Sequence, residues 1–140
     1  MAIALNYRYY MILKHLYSDY ETGKQYILKD KSDGNGPQLT WITKKKSAPT
    51  VTEMNNAREA ATDAWWWYNL RTKRNTLLKE SDWSNTEDVP NATKSAYATY
   101  RGKLRNLPTT VTKPAYSTLD NQTEKQMVDH MDTLMPTKPS

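Results

Sequence analysis

Trp65-Trp66-Trp67-Tyr68-Asn69-Leu70-Arg71-Thr72-Lys73-Arg74-Asn75-Thr76-Leu77-Leu78-Lys79-Glu80-Ser81-Asp82-Trp83 is the stretch around which the rest of the chain must be arranged. Consecutive side chains on a helix project about 100° apart. Three tryptophans in a row therefore cover more than half of the circumference, and one core face cannot shelter them all. At least one should meet a second surface, and Trp66 is the expected solvent-facing member in the free protein. The helix that carries them has a clear start. Pro49 closes the preceding segment, Thr50 can cap the first turn, and Glu53 can reach back to complete a capping box. Apolar or small residues recur at Met54, Ala57, Ala61, Ala64, Trp65 and Tyr68, and again at Trp67, Leu70, Leu77 and Leu78, which is helical spacing. The run ends near Ser81-Asp82.

A second helical pattern starts at Asp88-Val89-Pro90-Asn91, with Asp88 as the capping carboxylate and a proline tolerated in the first turn. Tyr97, Tyr100, Leu104 and Leu107 lie along one face, and Pro108 is expected to stop the helix. Neither helix can bury its stripe alone, so residues 49–108 read as an antiparallel helical pair. Asp82 should bond local backbone amides at the corner, and Trp83 should plug its end.

The string Arg71-x-x-Arg74-Asn75-x-Leu77-Leu78-x-x-Ser81-Asp82-Trp83-Ser84, then Asp88-Val89-Pro90, then Tyr97-x-x-Tyr100-Arg101-x-x-Leu104-Arg105-x-Leu107-Pro108, resembles the phage tail assembly chaperone family. The resemblance covers the middle of the chain. It implies a small phage protein that works in tail or tail-fibre assembly by protein–protein contact, without catalysis, in the host cytoplasm during assembly. A permanent virion part, such as a fibre, baseplate or tail adaptor, is the alternative. The implied partner is a phage tail or tail-fibre protein, with more copies of the same chain as a further option.

The N-terminal third reads as a helix over 5–17, with Leu5, Tyr9, Ile12, Leu13 and Leu16 on one side, followed by a hairpin. Gln25-Tyr26-Ile27-Leu28-Lys29 and Gln38-Leu39-Thr40-Trp41-Ile42 are its strands, and Asp33-Gly34-Asn35-Gly36-Pro37 is its turn. Asp30, Ser32, Asp33 and Asn35 lack the acidic ligand that would close a calcium loop, so turn chemistry explains them. Lys44 to Ala48 is a basic linker. After Pro108 the Thr/Pro-rich segment reads as an extended arm, and Thr123-x-x-Gln126 caps a short terminal helix carrying Met127, Met131 and Met135. These methionines suit either an adaptable contact surface or packing back onto the chain. The fold class is therefore mainly α with a small β-hairpin (α+β), divided as 1–48, 49–108 and 109–140 within one compact domain. Deleting 109–140 should leave a folded body that binds its partner less well.

Phenylalanine is absent while there are 10 Tyr and 5 Trp, so the aromatic surface is of the amphipathic kind that contact surfaces use. With no cysteine, neither a disulfide framework nor a thiolate metal site is available. No apolar run approaches a membrane span, and the first eight residues lack the h-region of a secretory signal. The net charge of +5 reads as a solvated basic surface with one short cluster at Lys44-Lys45-Lys46, and nucleic acid is a distant alternative. His15 and His130 have no neighbouring acids at metal spacing, and no phosphate loop, nucleophile motif or acid–base pair is present, so no catalytic residue, metal or cofactor is expected. The contact candidates are Trp65, Trp66 and Trp67, the arginines Arg71, Arg74, Arg101 and Arg105, and the three methionines. The arginines could form a rim that grips a carboxylate-bearing segment, or pair with Glu80, Asp82 and Glu87.

Overall fold

The computed structural model describes residues 8–30 and 37–140. The chain divides into two units, Met1–Trp65 and Trp66–Ser140, and the division falls inside one long helix.

In the first unit, α1 (Tyr9–Leu16) buries Met11, Ile12 and Leu13, while Leu16 is exposed. The buried stripe is thus centred one position away from the expected Tyr9/Leu16 line, and Leu5 lies outside the described residues. Strands β1 (Tyr26–Asp30) and β2 (Pro37–Trp41) pair antiparallel, with Tyr26 opposite Trp41 and Leu28 opposite Leu39. The expected turn at Asp33-Gly34-Asn35-Gly36, with the rejected calcium ligands, is outside the described residues. Proline is tolerated as the first residue of β2 because that position can do without a ladder donor. Gly23, at φ 86°, takes the left-handed conformation needed before β1, and its N–H donates to the Tyr26 carbonyl at 2.7 Å. One face of the hairpin carries an aromatic cluster. Trp41 lies 5.2 Å from Tyr17, 5.9 Å from Tyr20 and 6.3 Å from Tyr26, centroid to centroid. Its indole N–H donates to the Lys46 carbonyl at 2.8 Å, which ties the basic linker down.

Helix α2 (Val51–Glu80) begins with the expected capping box: the Glu53 N–H donates to Thr50 Oγ1 at 3.1 Å, and the Thr50 N–H to Glu53 Oε2 at 3.4 Å. Its buried row runs through Met54, Ala61, Thr62, Trp66 and Leu70, whereas Ala64 and Tyr68 face solvent. The spacing of four was legible, but the row passes through Trp66 and not through Trp65 and Tyr68. Within the first unit, buried Arg8 donates to Thr62 Oγ1 at 3.2 Å, and Thr62 in turn donates to the Arg58 carbonyl.

In the second unit a 3₁₀ turn (Asp82–Asn85) leads to α3 (Asn91–Thr110), α4 (Tyr116–Asp120) and α5 (Glu124–Leu134). The end of α2 and α3 make the helical hairpin: Tyr97, Tyr100 and Leu104 form a buried cluster against which Leu77, Leu78 and Met135 pack. Helix α3 starts later than expected, with Pro90 at the N-cap position and no side-chain cap bond, so Asp88 does not cap it. Nor does Pro108 stop it. Only one intrahelical donor is missing at that position, and the Val111 N–H still reaches the Leu107 carbonyl at 3.0 Å, so the last turn closes past the proline.

The arm is extended only over 111–115; α4 then follows, unforeseen, and buries Leu119. The capping box of α5 forms as expected between Thr123 and Gln126. Met127 and Met131 are completely buried, Lys73 pairs with Asp132, and the Tyr97 hydroxyl reaches the Pro139 carbonyl at 3.5 Å. The C-terminal segment is therefore part of the second unit's core. Deleting residues 109–140 would therefore take Leu119, Met127 and Met131 out of that core.

Candidate protein-binding surface

The corner of the helical hairpin is organised by Arg101, which is buried. Its Nη1 donates to the Leu78 carbonyl and to Ser81 Oγ (2.7 Å), and its Nη2 donates to Asp82 Oδ1 at 2.8 Å. The Leu78 carbonyl is one of the last four of α2, which have no donor within the helix, so the guanidinium fork completes the end of α2 and complements its dipole. Ser81 and Ser84 are also buried, and Ser84 Oγ donates to the Ser81 carbonyl at 2.7 Å. Asp82 thus accepts from Arg101 and not from local amides, and Arg101 belongs to the fold and not to a basic rim.

Trp83 was expected to plug the corner but is 47% exposed. It sits in the 3₁₀ turn with its ring edge-on to Tyr97, 4.8 Å between centroids, so it covers the cluster from the side. A half-exposed indole over a buried phenol is a lid with a free outer face.

The tryptophan triplet divides by geometry. Trp66 is completely buried, which corrects the expectation that it would be the exposed member, while Trp65 and Trp67 are half-buried. The middle side chain points to the core, its neighbours turn about 100° to either side, and the ring left in solvent is the next one, Tyr68, at 69% exposure. The general argument that one face cannot hold three indoles stands, but its choice of residue does not.

Trp67 and Arg71 meet one turn apart, with the guanidinium 5.4 Å from the indole centroid. That is within cation–π range, and Arg71 is otherwise exposed. Trp67, Tyr68 and Arg71 thus form one aromatic–cationic patch on α2. Arg74 Nε donates to Asn75 Oδ1 at 3.0 Å beside it, and Arg105 is exposed on α3. Of the methionines, Met127 and Met131 are core and Met135 is half-buried against the tyrosine cluster, so they do not offer the adaptable surface considered above. Tyr68 is the contact candidate that sequence reasoning missed, because the apolar spacing placed it in the same row as Ala64, and both are exposed.

Elsewhere in this unit, a shallow groove of about 480 Å³ runs along Gly102, Lys103, Leu107 and Thr110 of α3 to Leu134 and Pro136. Lys103 is its sole titratable lining group, so the groove offers room for a side chain and no acid–base pair. Among the described residues, no group of three or more His, Cys, Asp or Glu side chains is placed to hold a metal ion. No helix among them is long and apolar enough to cross a membrane.

Compared with known families, residues 67–124 match the model of the phage tail assembly chaperone protein. The matched region holds the Trp67–Tyr68–Arg71 patch, the Arg101 corner, α3 and α4, and it stops at the first residue of α5. No curated protein and no solved structure matches the chain.

Proposed function

We propose that this protein is a bacteriophage tail assembly chaperone that acts by contact, holding a tail or tail-fibre protein through the α2 face that carries Trp67, Tyr68 and Arg71. The match of residues 67–124 to the chaperone family carries the reading. The architecture supports it, because residues of the matched region fall into two groups with separate tasks. Arg101, Ser81, Asp82, Tyr97, Tyr100 and Leu104 fix the corner. Trp67, Tyr68 and Arg71 are held by a rigid helix yet stay accessible, and Trp, Tyr and Arg are the side chains that most often dominate binding energy at interfaces. An arginine already held against an indole loses less freedom when it meets a carboxylate, so the segment held should present an acidic residue beside an apolar one.

Co-expression of the full chain with the tail proteins of its phage tests this reading. The Tyr68→Ala/Arg71→Ala double variant should keep its thermal stability and recover its tail-protein partner about tenfold less well, the effect of losing one modest hot spot. Equal recovery by the parent and the double variant would remove this face from the interaction. Purified phage particles should lack the chain, and stoichiometric amounts in the particle would make it a virion component.

A further inference from the structure

The charge of the chain is concentrated at the hairpin. Residues 24–46 hold six lysines and two aspartates, so this short stretch supplies four of the five net positive charges. Lys24, Lys29, Lys44, Lys45 and Lys46 are all exposed. A charge focus of this kind attracts an acidic partner over a Debye length, and the shape beside it selects which one.

That shape is an open sheet edge. The Ile42 N–H donates to the Gln25 carbonyl at 2.9 Å, which sets the alternation of the antiparallel ladder. Residues 38, 40 and 42 turn their backbone groups towards β1, and Leu39 and Trp41 turn theirs outward. Among the described residues no strand pairs with that outer edge of β2. The outer edge of β1 is different, because the Gly23 N–H already takes the Tyr26 carbonyl and Thr22 bridges to Tyr26. Ile42 (43% exposed), beside the open edge, and Ile27 (41%), one strand further in on β1, share the sheet face opposite the aromatic cluster. Lysine placed within an edge strand is a common guard against strand addition, but β2 reads Pro-Gln-Leu-Thr-Trp, and its lysines come after the strand has ended.

We propose that the outer edge of β2 accepts, as a third strand, an extended acidic segment of a protein partner with β-branched residues at alternate positions. Backbone groups of Leu39 and Trp41 would pair with it, the β-branched side chains would pack beside Thr40 and Ile42 and extend the apolar face that Ile27 begins, and its carboxylates would meet Lys44, Lys45 and Lys46. A second copy of this chain is disfavoured, since joining two β2 edges brings together two stretches of the same positive sign. Nucleic acid is disfavoured because the hairpin rings are packed on one another and the Trp41 N–H is occupied, leaving no open platform for base stacking. The hairpin lies outside residues 67–124, so this surface stands independently of the role proposed for α2.

Fluorescence anisotropy with the full chain and a short labelled peptide of alternating glutamate and valine tests the proposal. The peptide should bind, and methylating the backbone nitrogens along one edge should weaken it about tenfold, since methylation removes strand hydrogen bonds and keeps the charge. The Lys44→Glu/Lys45→Glu/Lys46→Glu variant should prefer a lysine–valine peptide instead. Equal binding of the methylated peptide would overturn strand addition. An oligothymidine that binds while the peptide does not would assign the lysines to nucleic acid.

Discussion

The Arg101 corner and the hairpin of the first unit are built from the same materials, tyrosines grouped around one tryptophan with cations nearby, and they treat those cations in opposite ways. At the corner the cation is buried and its two terminal nitrogens are committed to the end of α2 and to Ser81 and Asp82. At the hairpin the described lysines are exposed, and among them Lys46 leans on a ring, 5.8 Å from the centroid of Tyr17. A buried charge tolerates one geometry, because any other leaves it unpaired in a low dielectric. An exposed cluster tolerates many geometries and acts through its field. The corner is therefore where the chain defines itself, and the hairpin is where it can receive something else.

The sharpest test of that contrast is truncation. Removing residues 124–140 takes Met127 and Met131 out of the core and uncovers the Tyr97–Tyr100–Leu104 cluster beneath Met135. The two buried methionines alone correspond to about 3–6 kcal/mol of apolar burial, so the second unit should lose its cooperative thermal transition. The hairpin methyl resonances, which come from a region without those contacts, should persist. A truncated chain with its full transition intact would mean that α5 is only an appendage.

Next in size is Arg101→Ala, expected to cost about 2 kcal/mol by removing the guanidinium hydrogen bonds to the Leu78 carbonyl and Ser81 Oγ, although the Ser81 N–H and Oγ still reach that carbonyl. The ion pair with Asp82 contributes little of this, since that carboxylate is 65% exposed. Arg101→Lys should recover less than half, because an ammonium cannot span Leu78, Ser81 and Asp82 at once. Chemical denaturation of the three chains gives the ordering, and a lysine variant as stable as the parent would reduce the corner to a simple charge effect. Trp83→Ala should cost only about 1 kcal/mol, the worth of an edge-on aromatic pair and not of a buried indole. A loss several times larger would restore Trp83 as the plug.

These sizes also explain what the sequence could reveal. Both capping boxes were legible because Thr50/Glu53 and Thr123/Gln126 act within one turn. The hairpin was legible from two short β-prone runs around a glycine-rich turn, and the corner from the ordered Arg, Ser-Asp-Trp and Tyr-Arg signals. Positions fixed by tertiary packing were not legible: which tryptophan goes inward, how far α3 continues past Pro108, and that Met127 and Met131 turn to the core. Arg101 is the instructive case, since its spacing marked it as special while its burial depends on Leu78 and Ser81, some twenty residues back. The hairpin's charge focus was written in the sequence throughout, but it gains meaning only beside an open strand edge.

The last and gentlest test compares the two regions by pH. Burial raises the phenol pKa of Tyr9, Tyr17 and Tyr26 in the first unit, with the Glu53 carboxylate and Tyr20 adding to the rise at Tyr17. In the second unit Tyr100 is raised, first by burial and then by Glu80 and Tyr97. A raised phenol pKa means that the folded protein holds the proton more tightly than the unfolded chain does. These tyrosines therefore stabilise the fold fully below their ordinary value of 10.0, and that contribution is lost as the pH rises from there through the raised values. With three such groups against one, the first unit should loosen at lower pH than the second. Isoleucine methyl labels report on the first unit alone, because every isoleucine lies at or before residue 42, and a leucine label at Leu104 reports on the second. The Ile12 resonance should shift or broaden before that of Leu104 as the solution is made alkaline. Simultaneous loss of both would show that α2, which runs through the two units, makes them unfold as one.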